Sequence, residues 1–178
     1  MSDARSPEQT RGGGSMWRHI ANAPWPVIAI TVIVLDQLSK LAADAFLGYH
    51  EPVPLIPMLN LTLSYNPGAA FSFLGESSGW QRWVFTGFAF AVSIVLVIWL
   101  RRLPPWERWL SWGLSLLLGG AVGNMIDRLW HGHVIDFIHV YYGQWSYPIF
   151  NIADSAITVG AAMILIHAFF LDGRKGKG

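Results

Sequence analysis

Three stretches of this chain contain no Asp, Glu, Lys or Arg: residues 83–100 (WVFTGFAFAVSIVLVIWL), 109–126 (WLSWGLSLLLGGAVGNMI) and 155–171 (SAITVGAAMILIHAFFL). Each approaches the roughly 20 helical residues that cross a hydrocarbon core, where every backbone polar group must be satisfied within the segment. A fourth stretch, 19–35 (HIANAPWPVIAITVIVL), stays uncharged until Asp36 and continues as helix to about Ala43. A composition of 53% hydrophobic and 13% charged residues, with mean hydropathy +0.38, agrees with these four spans. The expected fold class is therefore integral membrane and mainly α, with four transmembrane helices. Ala43-Asp44-Ala45 has the shape of a leader cleavage site, but the apolar run before it is longer than a leader core and runs into Asp36 and Lys40. It is read as helix one.

With no cysteine, the chain has no disulfide, no thiol nucleophile and no thiolate metal ligand. A net charge of +1 gives no case for a nucleic-acid partner. The basic residues instead report orientation. Arg5, Arg11 and Arg18, then Arg101, Arg102 and Arg108, then Arg174, Lys175 and Lys177 make up nine of the twelve, and four spans put all three groups on one face. Lys and Arg are retained on the cytoplasmic side, so both termini are expected there. Seven of the eleven acids then lie at or near the opposite face.

Along the chain, residues 1–15 read as a disordered polar tail, 16–171 as the four-helix membrane domain and 172–178 as a basic tail. Two outer segments interrupt the helices. The first, about 44–79, contains Leu59-Asn60-Leu61-Thr62-Leu63-Ser64-Tyr65, which alternates with period two like a strand and ends in the turn signal Asn66-Pro67-Gly68. The second, 131–148, is rich in β-branched and aromatic residues around Tyr142-Gly143-Gln144 and suits a hairpin. A small outer β-sheet is expected. No internal repeat of the kind that builds many transporters is visible.

Polar residues in so apolar a chain need a reason. Asp36 and Lys40 stand at i,i+4 and read as an ion pair that lets the end of helix one tolerate the interface. The small residues after Asn66 let backbone approach a substrate closely, while the Asn amide can hold a peptide group. Ser72 in the same stretch has no base suggested nearby and reads poorly as a nucleophile. In Gly119-Gly120-Ala121-Val122-Gly123-Asn124-Met125-Ile126-Asp127-Arg128, the spacing of Gly119 and Gly123 permits close helix packing. Asn124, Asp127 and Arg128 share one face there, and Arg128 is the expected partner of Asp127.

Asp136 and Asp154 differ from these, because no Lys or Arg lies between Arg128 and Arg174. Asn151 is placed to cap helix four with Asp154 in its first turn. Asp136, among Val134, Ile135, Phe137 and Ile138, is costly near a membrane unless a polar group meets it. Two carboxylates brought together share a proton, which is the division of labour of aspartic proteases. An ion or proton pathway and a structural role stand beside that reading. His131, His133 and His139 invite a metal, but their spacing matches no common zinc hydrolase motif.

Taken together, Asp36-Gln37-Leu38-Ser39-Lys40, Asn66-Pro67-Gly68-Ala69-Ala70-Phe71-Ser72, the Gly119–Arg128 run, Val134-Ile135-Asp136-Phe137 and Phe150-Asn151-Ile152-Ala153-Asp154-Ser155 resemble the successive motifs of bacterial lipoprotein signal peptidase, or signal peptidase II. The resemblance spans about residues 24–171. It implies an intramembrane aspartyl endopeptidase of the bacterial inner membrane, with its site near the periplasmic face and no cofactor or metal. The implied substrates are prolipoproteins whose lipobox Cys carries diacylglyceryl, cut on the amino side of that Cys. Membrane lipid and globomycin-type inhibitors are the other implied partners. The resemblance makes Asp136 and Asp154 the catalytic pair, with Asn66, Gly68, Asn124, Asp127, Arg128, Asn151, Asp36 and Lys40 holding substrate or bracing the site. We also expect the strand at 59–65 to clamp an extended peptide by backbone pairing.

Overall fold

The computed structural model describes residues 24–68 and 79–171. Outside them lie both expected tails, the basic residues Arg5, Arg11, Arg18, Arg174, Lys175 and Lys177, and Ala69, Ala70, Phe71 and Ser72. Among the described residues, four helices are long and apolar enough to cross a membrane. They are α1 (Trp25–Phe46), α2 (Trp80–Arg102), α3 (Arg108–Trp130) and α4 (Ile152–Ile166), the last continuing in wider π-helical turns through His167–Leu171. Pro26 stands near the start of α1, where its missing N–H costs nothing. Asn151 caps α4 as the spacing predicts.

α3 is the central helix, packed against the other three. Its glycines make this possible. A Cβ at Gly119 would lie 2.7 Å from Val32 Cβ, and one at Gly123 would lie 2.6 Å from Asp36 Oδ2, so these two positions admit α1. Gly120 does the same for α4, where a Cβ would collide with the Ala153 carbonyl. The expected small-residue face is therefore real, and α3 carries a second one behind it.

Apolar packing divides into two clusters with a polar layer between. Ala29, Leu96, Leu100, Leu110, Leu114 and Leu118 join α1, α2 and α3 toward the loop between α2 and α3, with Ile164 of α4 packed against them. Ala43, Leu63, Ile135 and Phe137 join α1 to the outer sheet. Between them are buried Asp36, Lys40, Asn124, Asp127, Asp136 and Asn151. Large apolar side chains such as Val27, Ile30, Leu38, Leu41, Phe88 and Val95 are exposed on the bundle's outside, the arrangement that suits lipid rather than water as solvent.

The outer layer is a four-stranded antiparallel sheet of order β1-β2-β3-β4, formed by Val53–Ile56, Leu59–Asn66, Val134–Tyr142 and Trp145–Ser146. The two outer segments of the sequence thus meet, and β2 pairs with β3 from Leu59↔Val140 to Asn66↔Val134. This corrects one expectation. The strand at 59–65 is interior, with β1 on one side at Leu59, Asn60 and Leu61 and β3 on the other, so it has no free edge there to clamp a peptide. Period-two alternation marks a strand but says nothing about which of its edges is occupied.

Candidate active site

β3 and α4 are brought together by the chain closing on itself. Phe150 N donates to Ile138 O (3.0 Å), and Ile138 N donates back to Phe150 O (2.8 Å). That bridge sets Asn151, the residue that opens α4, directly against β3. Its Nδ2 donates to Asp136 Oδ1 at 2.7 Å, and its Oδ1 accepts the backbone N–H of Asp154 at 2.9 Å. Asp154 Oδ2 accepts the Asn151 backbone N–H in return (3.3 Å), completing a capping box.

Each carboxylate receives a further amide. Asn66, at the end of β2, donates through Nδ2 to Asp136 Oδ2 at 3.0 Å, and Asn124 of α3 donates through Nδ2 to Asp154 Oδ1 at 2.8 Å. Asn66 is itself fixed, because its Oδ1 accepts Gly68 N at 2.9 Å. Gly68 has φ +113, a backbone that L side chains rarely adopt, so the turn needs glycine. Asp136 is 2% exposed and Asp154 half-buried. Among the described residues neither forms an ion pair. Burial, then the charge of Asp154, push the Asp136 carboxyl up to about 7, against the smaller opposing pull of the Asn66 and Asn151 amides.

Behind these four amide contacts is an ionic layer. Lys40 Nζ lies 2.8 Å from both Asp36 Oδ2 and Asp127 Oδ2, and 3.0 Å from Asn124 Oδ1. Asp36 Oδ1 accepts Ala153 N at 2.8 Å, and Asp127 Oδ2 accepts Ile135 N at 3.2 Å. The layer therefore bonds α1 to α3, to the start of α4 and to β3. Lys40 also fixes the Asn124 amide: with Oδ1 turned to the cation, Nδ2 must point at Asp154.

Two sequence expectations change here. The Asp36–Lys40 pair is not an interfacial pair at a helix end; it lies in mid-helix with 0% and 1% exposure. Asp127 is paired, but with Lys40 rather than Arg128. The Arg128 guanidinium donates to Asn124 O (3.2 Å) and lies over the Phe85 ring, its Cζ 5.4 Å from the centroid. Helical spacing along one chain cannot see a cation arriving from another helix.

The structure brings Asn66, Asn124, Asp136, Asn151 and Asp154 into direct contact, and sets Asp36, Lys40 and Asp127 behind them. Sequence reasoning did not single out Gln37, whose Nε2 donates to Asp127 Oδ1 at 2.9 Å. A polar residue inside an apolar helix was the available signal. Among the described residues, no group of three or more His, Asp or Glu is placed to hold a metal ion.

Residues 28–170 match the family model described as Signal peptidase (SPase) II. The chain is similar to the lipoprotein signal peptidase of Acinetobacter baylyi, 49% identical over 154 residues and covering 86% of each chain. Against the lipoprotein signal peptidase of Pseudomonas aeruginosa it is 53% identical over 148 residues, 82% of this chain and 88% of that one. A solved bacterial membrane enzyme matches with a TM-score of 0.75 and 31% identity, over 84% of this chain and 95% of the other.

Proposed function

The chain belongs to the signal peptidase II family, and from that membership we propose that Asp136 and Asp154 are an aspartic dyad that hydrolyses the peptide bond before a diacylglyceryl-modified Cys. The coarser part needs no proposal: this is a multi-pass bacterial membrane protease of lipoprotein processing, and its substrates are prolipoproteins.

The observation that carries the dyad reading is that Asn151 donates to both carboxylates, through Nδ2 to Asp136 and through its backbone N–H to Asp154, and that neither has an ion-pair partner among the described residues. A lysine or arginine between them would hold both ionised; amide donors position them and leave one proton to be shared. Burial favours the proton on Asp136, so Asp154, held by the Asn124 amide in the first turn of α4, is assigned the role of base. Asp154 then takes a proton from water as the water oxygen attacks the scissile carbonyl carbon, and Asp136 gives its proton to the carbonyl oxygen. Collapse of the tetrahedral diol breaks the C–N bond, the proton held by Asp154 passes to the departing amine, and a diol hydroxyl returns its proton to Asp136 as the new carboxyl forms.

In this reading Asn66, Gly68 and Arg128 face the substrate, while Asn124, Asn151, Asp127, Asp36 and Lys40 hold the dyad in place. We place the dyad near the periplasmic face with both termini cytoplasmic, an orientation supported by the basic loop of Arg101, Arg102 and Arg108. Acyl chains of the substrate stay in lipid while the peptide bond reaches water at the half-buried Asp154. Globomycin-type inhibitors compete with the substrate for the dyad.

Purified protein in detergent is expected to cleave a diacylglyceryl-modified lipobox peptide without added metal and equally well in EDTA. Cleavage that stops on chelation would overturn the dyad.

A further inference from the structure

α2 supplies no charge or amide to the dyad, yet its first two turns touch the site from outside. Gln81, Arg82, Phe85 and Thr86 turn inward, whereas Trp83, Val84, Gly87 and Phe88 are exposed. The Phe85 ring lies against the Gly68 backbone so closely that a Cβ there would sit 2.7 Å from its Cε2. The same ring carries the Arg128 guanidinium, with Cζ 5.4 Å from its centroid, a favourable cation–π arrangement. One turn earlier on this face, Arg82 Nη2 donates to Leu129 O at 2.7 Å, tying α2 to the end of α3 just past Arg128.

Two chains of contact start from that ring. Through Gly68, whose N–H holds Asn66 Oδ1 at 2.9 Å, it reaches the Asn66 amide and so Asp136 Oδ2 at 3.0 Å. Through Arg128, whose Nη1 donates to Asn124 O, it reaches the backbone of the residue that holds Asp154. We propose that Phe85 is a positioning residue for the cleavage reaction: its ring seats both the Asn66–Gly68 turn and the Arg128 guanidinium, and so fixes the amides that hold Asp136 and Asp154. This rests on the peptidase reading above.

Leucine at 85 keeps apolar bulk but has no π face for Arg128 and no flat wall for Gly68; tyrosine keeps both. Purified wild type, Phe85→Leu, Phe85→Met and Phe85→Tyr are compared for kcat, KM and pH profile on a lipidated lipobox peptide. In parallel, the Asp136 carboxyl is titrated by carbon NMR, which needs no turnover. Asp136 is faced by Asp154 from α4, Lys40 from α1 and Arg128 from α3, and no variant removes them.

The expected result is a kcat lowered about ten-fold or more in Phe85→Leu and Phe85→Met, the scale of a small misplacement of reacting groups. Their Asp136 titration moves to higher pH, because the Asn66 amide no longer favours the ionised form, and Phe85→Tyr restores both. Wild-type kcat and an unmoved titration in Phe85→Leu would overturn the proposal. So would a loss that merely tracks the amount of folded protein. A wild type that cleaves nothing would sink the peptidase reading instead, and the titration would still decide the role of Phe85.

Discussion

Asn151 holds Asp136 and Asp154 with opposite ends of one amide: its Nδ2 donates to Asp136 Oδ1 at 2.7 Å, and its Oδ1 accepts Asp154 N at 2.9 Å. One side chain thus caps α4 and sets where β3 meets it, so the two functions separate by substitution. Asn151→Ser keeps a neutral oxygen to cap the helix but has no amide N–H to reach Asp136. Turnover should fall about 100-fold while the helix cap is kept. Asn151→Ala loses the cap as well and should be less stable than the Ser variant by about 1 kcal/mol. Equal melting temperatures for the Ala and Ser variants would contradict this division.

Asp136→Asn and Asp154→Asn preserve shape and remove only the ability to carry charge or a proton. Each should reduce cleavage of a lipidated precursor at least ~1,000-fold, beyond the share ordinarily supplied by one positioned acid or base. Circular dichroism and detergent gel filtration should match wild type. Near-normal turnover in either variant would remove that residue from the dyad.

The pH profile follows from the raised Asp136. With its carboxyl at about 7, the dyad holds its proton below that pH and loses it above, so turnover should fall as pH rises through about 7. Asn66 donates to Asp136 and favours its ionised form. Removing that donor in Asn66→Ala should therefore move the descending limb to higher pH. A limb that stays put, or moves down, would show that another group controls it.

The four helices were legible because lipid makes each of them a long uncharged run, and the Asn151 cap because its partner is three residues away. What depends on distant chain was not. Nothing local in Leu59–Asn66 announces that β3 will pair with it, and Asp127 has an adjacent arginine that looks like its partner until Lys40 comes in from α1. The absence of basic residues between Arg128 and Arg174 was the informative signal for the dyad. It identified carboxylates that no neighbour could neutralise, and left to the fold the question of what meets them. Phe85 had no signal at all, since a phenylalanine in an apolar helix looks like every other.

Asp127 provides a test that separates bracing from chemistry. It is buried, 2.8 Å from Lys40, and accepts Ile135 N and Gln37 Nε2, but bonds to neither Asp136 nor Asp154 among the described contacts. Replacing it with Asn removes the ion pair between α1 and α3 and leaves Lys40 with Asp36 as its carboxylate and Asn124 Oδ1 as its contact on α3. Leaving a buried charge with no partner typically costs about 3–5 kcal/mol, and because Lys40 keeps Asp36 the loss here should fall below that. Asp127→Asn should then unfold at clearly lower temperature while the folded fraction retains turnover within several-fold of wild type. Lys40→Met should be worse for activity than Asp127→Asn, since it also frees Asn124 Oδ1 and lets the amide that holds Asp154 rotate. Complete loss of turnover in Asp127→Asn with unchanged melting and substrate binding would instead put Asp127 in the reaction itself.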